Sequence, residues 1–224
     1  MDEIYKDELK KLNGKYVEMG INVSEQIYQS TKAFIDHDSI LAENIMRQDE
    51  KINEYEMTLE AQALDLMALK QPVAEDFRIV ISILKASSDL ERIGDHANSI
   101  ARETIRIKGN SREKQIEINI AKITANIRKM LEMILDAYIN NDDKKARKIA
   151  QDDLEIDKQY FQNYDLIVGM MARDTSKAVA SSSYLTVIRL LERIGDHIVN
   201  LAEWVVYAKT GKLEELNPGK LNRK

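Results

Sequence analysis

Apolar residues recur along this chain every three or four positions, almost without a break. Leu9, Leu12, Tyr16, Met19, Val23, Ile27 and Phe34 keep that spacing and predict a helix over residues 4–35. Asp36-His37-Asp38-Ser39 interrupts the stripe, with Asp38 or Ser39 suited to cap the next helix. A second helix is predicted from about 40 to 70 on Leu41, Ile45, Ile52, Leu59, Ala63 and Leu66. Gln71-Pro72 ends it, and Pro72 fits the first turn of a third helix carried by Ile79, Ile83, Ala86, Leu90, Ile93, Ala97 and Ile100. Gly109-Asn110 is a helix stop. Beyond it, Ile116, Ile120, Ile123, Ile127, Met130, Ile134 and Ala137 alternate strictly by four and three, as the seam of a bundle helix does. A fifth helix is expected over about 142–172, on Ile149, Ile156, Tyr160, Ile167 and Met170. Asp174-Thr175-Ser176 opens a sixth, which runs to about Thr210-Gly211. No segment alternates with period two. The pattern predicts an all-α chain of six long antiparallel helices.

One stretch occurs twice. Leu90-Glu91-Arg92-Ile93-Gly94-Asp95-His96 returns letter for letter as Leu191-Glu192-Arg193-Ile194-Gly195-Asp196-His197. The spacing predicts two copies of one three-helix unit, residues 1–110 and 111–224, each of common domain size. Gly94 and Gly195 fall mid-helix, where glycine costs about 1 kcal/mol against alanine, so both predict close helix approach.

Composition narrows the class. With 224 residues and 44% hydrophobic content the chain can bury an ordinary core. It has two prolines and eight glycines, too few for a turn-rich β protein. It has no cysteine, which excludes disulfides and thiolate metal sites. No apolar run approaches the roughly 18–20 residues of a membrane span, and Met1–Lys11 lacks a signal-peptide apolar core. The expected location is cytoplasmic. A net charge of −5 argues against a nucleic-acid surface.

The candidate chemistry lies in paired acids. Glu91 with Asp95 and Glu192 with Asp196 are i, i+4 pairs, mutually unfavourable on a bare helix by about a few tenths of a kcal/mol. Glu203 extends the sixth helix's acidic flank, and Asn200 lies on the same helix. On the neighbouring helices, Asp49 and Asn53 in the first copy match Asp153 and Asp157 in the second when Ile52 is aligned with Ile156. Each copy could thus bring acids from two helices together beside its apolar seam, in a shallow groove. Carboxylates gathered in that way need a counter-charge. Oxygen-only donors suit Mg, Mn, Ca or iron, and bridging carboxylates readily hold two metals. The second copy should bind more tightly, with Asp157 in place of Asn53 and Glu203 in place of Arg102. His96 and His197 adjoin the acids but project to another side. The plainer readings are a solvated acidic face paired with Arg92 and Arg193, or a structural scaffold. A di-metal carboxylate enzyme is the remaining alternative; no histidine here follows a glutamate by three residues, as ferritin-like sites require.

The doubled heptapeptide resembles the PhoU family of phosphate-transport accessory and regulatory proteins, over about residues 5–211. Arg189-Leu190-Leu191-Glu192-Arg193, Pro72-Val73-Ala74 and Asp76-Phe77-Arg78 are also similar to that family's pattern. Its acid-x-x-x-Asp motif falls on Asp153 to Asp157, and in the first copy on Asp49 to Asn53, a departure. Asn200 matches the family where Ser99 does not. The resemblance implies two similar three-helix bundles with surface sites for metal ions or multinuclear clusters, of iron, zinc, manganese or magnesium. It further implies a non-enzymatic negative regulator of phosphate-starvation signalling, a dimer or higher oligomer. Such a regulator links the phosphate ABC transporter ATPase to a sensor histidine kinase and is peripheral to the membrane only through those partners.

Overall fold

A computed structural model of the chain describes residues 3–47 and 50–217. Within them lie α1 (Glu3–Asp36), α2 (Ser39–Arg47), α3 (Glu50–Lys70), α4 (Ala74–Ile107), α5 (Lys114–Ile139), α6 (Asp143–Arg173) and α7 (Ala178–Thr210), with a 3-10 turn at Thr175–Lys177. Among the described residues there is no strand. The helix expected over 40–70 is described as α2 and α3, on either side of residues 48 and 49. Pro72 lies ahead of α4 rather than in its first turn, because the helix opens only at Ala74.

The repeat is visible in backbone detail at a place the heptapeptides do not reach. Asp38 N–H donates to Ala33 O at 2.9 Å, and Asp142 N–H donates to Ala137 O at 2.9 Å. His37 and Asn141 each take the left-handed conformation at these turns, with φ of 56° and 51°. Asp38 then caps α2 by accepting from Leu41 N–H at 2.9 Å, as Asp142 caps α6 by accepting from Lys145 N–H at 3.0 Å. A left-handed residue followed by an aspartate cap reverses the chain tightly after the first helix of each copy.

Helices α1, α3 and α4 of the first copy and α5, α6 and α7 of the second pack together, but the copies are not insulated from each other. The helices α4 and α7 run along one another, and α1 packs on α5. One apolar core therefore runs through both copies, from Tyr5 to Val206. The α5 seam residues Ile116, Ile120, Ile123, Ile127, Met130, Ile134 and Ala137 are all buried in it, as their spacing predicts. The two heptapeptides lie on α4 and α7, the helices that join the copies. Ile93 and Ile194 face the core, which fixes where the neighbouring acids can point.

Candidate metal centre

In the second copy the predicted acids converge. Asp153 and Asp157 come from α6 and Asp196 from α7, and one carboxylate oxygen from each lies within 4.8 Å of the others. Asp153 is fully buried and Asp157 is 3% exposed, while Asp196 is half-buried. The expectation of a shallow groove beside the seam is therefore corrected for α6, whose pair points into the helix–helix contact. The reason is Gly195. A Cβ on that residue would overlap Asp153 Oδ1, so the missing side chain makes the room that the carboxylate occupies. Ile156 Cγ2 lies on the other side of the same space, 3.6 Å from where the Cβ would be.

The flanking residues are divided. Glu192, one turn before Asp196, is half-buried. Its charge reaches Tyr160 on α6, where burial raises the hydroxyl pKa, Arg189 lowers it and Glu192 raises it further. Glu203 lies apart, because its carboxylate accepts from Leu216 N–H at 2.9 Å and so holds the chain that follows α7. Burial raises the Glu203 pKa, the Leu216 amide opposes this, and Glu215 and Asp89 add to it. Asn200 faces the first copy, its amide donating to Asp89 Oδ1 at 2.9 Å. Neither Glu203 nor Asn200 is part of the three-carboxylate group.

The first copy is different. Glu91 and Asp95 lie 3.7 Å and 3.8 Å from the Arg92 guanidinium, so the neighbouring arginine supplies part of their counter-charge. Asn53 is exposed on α3, and Asp49 lies outside the described residues. Gly94 makes room for its neighbours as Gly195 does: among the described residues, a Cβ there would sit 3.1 Å from Gln26 Oε1 and 3.2 Å from Cγ2 of Ile52, the counterpart of Ile156. Among the described residues, no group of three acids forms in this copy.

The two histidines project away from the acids and meet between α4 and α7, ring centroids 5.4 Å apart. His197 Nδ1 lies 2.9 Å from Asp89 Oδ1. The residue corresponding to Asp89 in the second copy is Leu190, so His96 has no matching acid. Burial, then His197 and Arg193, lower the His96 pKa to about 4, against a smaller opposing effect of Asp95. Asp89 was not singled out from the sequence, although it breaks the repeat immediately before the heptapeptide. A second unanticipated group is Glu117, buried at the start of α5. It accepts from Arg112 Nε at 3.1 Å and Nη2 at 2.9 Å, from Tyr184 Oη at 2.9 Å and from His37 Nε2 at 3.1 Å.

The donor set fits a hard cation. Three carboxylates, two of them withdrawn from water, offer oxygen alone, the ligand type that hard cations take. A family model described as PhoU domain matches residues 16–104 and again 120–205. The chain belongs to the PhoU family. It is 32% identical over 216 residues to a phosphate-specific transport system accessory protein PhoU homolog of Clostridium acetobutylicum, covering 96% of this chain and 98% of that protein. A PhoU homolog of Streptococcus pneumoniae is 35% identical over 94% of this chain and 97% of its own. The crystal structure of the phosphate transport system regulatory protein PhoU from Streptococcus pneumoniae superposes with a TM-score of 0.88 at 32% identity, covering 94% of this chain and 99% of that one. PhoU from Pseudomonas aeruginosa gives 0.87 at 33% identity, over 93% of this chain and 100% of that chain. No helix among the described residues is long and apolar enough to cross a membrane.

Proposed function

We propose that this chain is a phosphate-specific transport system accessory protein, a regulatory adaptor that holds a metal ion between α6 and α7 and works through protein contacts. The observation that carries this reading is the Asp153, Asp157 and Asp196 group, seated against the duplicated heptapeptide in a chain matched along its length by relatives so named. Asp153, Asp157 and Asp196 would hold the ion, with Glu192 at the edge. The ion would supply the positive charge that fixes the α6–α7 contact and presents a bound cation to a partner. Iron, zinc, manganese and magnesium all suit a carboxylate set, with magnesium and manganese the closest match to oxygen alone. By the repeat, Asp49, Asn53, Glu91 and Asp95 would be the corresponding first-copy ligands, a set of lower charge because Asn53 is neutral. The partners in this reading are the transporter ATPase and a sensor histidine kinase, restrained while phosphate is plentiful, and the adaptor acts as a dimer or higher oligomer.

Two measurements test it separately. Elemental analysis of protein purified without added metal should find a bound ion that Asp153→Ala/Asp157→Ala removes. Wild-type loading in that variant would end the metal reading. Affinity capture at high and low phosphate should recover the ATPase and the kinase from cells of the same organism. Recovery of neither under both conditions would end the adaptor reading.

A further inference from the structure

The backbone turns back on itself where α7 ends. Gly211 takes the left-handed conformation, with φ of 74°, and its N–H donates to Tyr207 O at 2.8 Å. The residues after it return along the helix: Leu216 N–H donates to Glu203 Oε1 at 2.9 Å. Glu203 lies about 10 Å back from Thr210, at roughly 1.5 Å per helical residue. On the α6 side, the Arg147 guanidinium donates twice to the Glu214 carboxylate, at 2.8 and 3.1 Å, and Asn217 Nδ2 donates to Ala150 O at 2.8 Å. The Leu216 side chain packs on the common core. Residues 212–217 thus form a strap with no helix or strand of its own, pinned to α6 at Arg147 and Ala150 and to α7 at Glu203.

The strap spans the same gap as the three-carboxylate group and lies next to it. Asp153 is one turn along α6 from Ala150, and Asp196 is two turns along α7 from Glu203. The Arg147–Glu214 pair is about a third exposed on both sides, and such a pair contributes little alone. The Leu216 amide matters more. Glu203 is half-buried, the acids Glu215 and Asp89 are close enough to act on it, and the hydrogen bond it accepts comes from the strap. Withdrawing the strap takes that donor from a carboxylate already partly removed from water, which is unfavourable. The first copy is built differently. The counterparts of Arg147, Ala150 and Glu203 are Glu43, Met46 and Arg102, and the chain passes from α4 directly towards α5.

We propose that the strap is a latch coupled to the acid group: an ion held by Asp153, Asp157 and Asp196 keeps residues 212–217 closed, and opening them loosens the ion. This rests on the metal reading above. An ion bound by ligands from two helices fixes the distance between them, because oxygen donors stand only about 2.0–2.6 Å from it. The strap favours one α6–α7 distance as well, since its anchors are divided between the same two helices. Two devices that favour one spacing reinforce each other, and the coupling is reciprocal. Loading of the second copy thereby keeps Arg147 and Glu203 covered, and emptying it lets them go to solvent.

The probe is Mn²⁺, titrated into the full chain, with binding read from loss of the free-ion electron spin resonance signal. Hydrogen exchange of the peptide covering residues 212–217 is followed by mass spectrometry. Saturating Mn²⁺ should slow that exchange about fivefold in wild type and leave it unchanged in Asp153→Ala/Asp157→Ala. In the other direction, Leu216→Pro, which lacks the N–H that Glu203 accepts, should weaken Mn²⁺ about fivefold, and Asn217→Ala should weaken it by less. By reciprocity the slowing and the Leu216→Pro factor should be of similar size. Glu43→Ala, at the first-copy position of Arg147, should change neither. Mn²⁺ bound by wild type with strap exchange unchanged overturns the latch and leaves the metal reading standing. Equal slowing in Asp153→Ala/Asp157→Ala also overturns it, by assigning the effect to ions elsewhere. Failure of wild type to bind Mn²⁺ ends the metal reading and the latch together.

Discussion

Gly94 and Gly195 occupy the same place in the two copies, and among the described residues they face different polar groups. Each has the matched isoleucine beside it, Ile52 or Ile156, but the other neighbour is the neutral Gln26 amide at Gly94 and the Asp153 carboxylate at Gly195. The same seven letters therefore serve as a socket whose polar occupant comes from a neighbouring helix. An amide in the socket is neutral, whereas a carboxylate withdrawn from water is tolerated only with compensation. The lesson is that repeat identity fixes the backbone approach and leaves the chemistry to the less similar partner.

The comparison breaks most completely through the acids themselves. Asp153→Ala/Asp157→Ala should empty the second copy of metal, while Glu91→Ala/Asp95→Ala leaves second-copy loading intact; equal losses in elemental analysis would contradict the asymmetry. Next in size is the difference between Glu117 and Asn13, its counterpart by the repeat. Glu117→Ala strands Arg112, His37 and Tyr184 and should cost about 3 kcal/mol in urea unfolding. Asn13→Ala, at the equivalent place, removes one hydrogen bond and should cost about 1 kcal/mol.

Glu117 also fixes an acid limit. Burial pushes its pKa up, but the hydrogen bonds from Arg112, Tyr184 and His37 outweigh burial and hold it below the ordinary 4.5. A carboxylate with a depressed folded pKa contributes stability above its unfolded pKa and loses it as pH falls through the folded one. Wild type should therefore lose stability below about pH 4.5, and Glu117→Gln should flatten that part of a thermal-melt profile.

The glycines give a smaller test. Gly195→Ala should displace Asp153 and lower metal affinity at least tenfold. Gly94→Ala meets only the end of Gln26 and an Ile52 methyl, and should change thermal stability by less than about 1 kcal/mol. The smallest effect concerns the histidines. His96 stays neutral down to about pH 4, so between roughly pH 6.5 and 4 the unfolded chain binds the extra proton and stability declines with falling pH. Leu190→Asp would give His96 the acid that Asp89 gives His197. Its pKa in an NMR titration should rise by about one unit; no rise would mean that burial alone governs it.

Most of the fold was legible because helix, seam and turn are local properties. The four-and-three alternation of α5 and the cap at Asp38 are each decided within a few residues. The site was legible only in part. That Asp153, Asp157 and Asp196 share a site follows from the repeat and the spacing. Their burial does not, because whether a residue flanking a seam meets water depends on Gly195, 42 positions from Asp153. Glu203 and Asn200 lie on the same helix as the acids, but a helix that touches several neighbours spends its flanks on different ones. Glu203 turns to Leu216 and Asn200 to Asp89. Glu117 gave no signal of its role, since its four donors come from three separate segments.

The shared core has a consequence for how the chain could be cut. The connection after α4 carries Gly109 in a left-handed turn and leads directly to α5. Severing it would leave two pieces, each with a bare oily flank shaped to the other, on α4 and α1 in one piece and on α7 and α5 in the other. Neither piece would be content alone in water. Produced together, they should reassemble as a heterodimer whose joint is the same seam that tandem duplication turned into an interior.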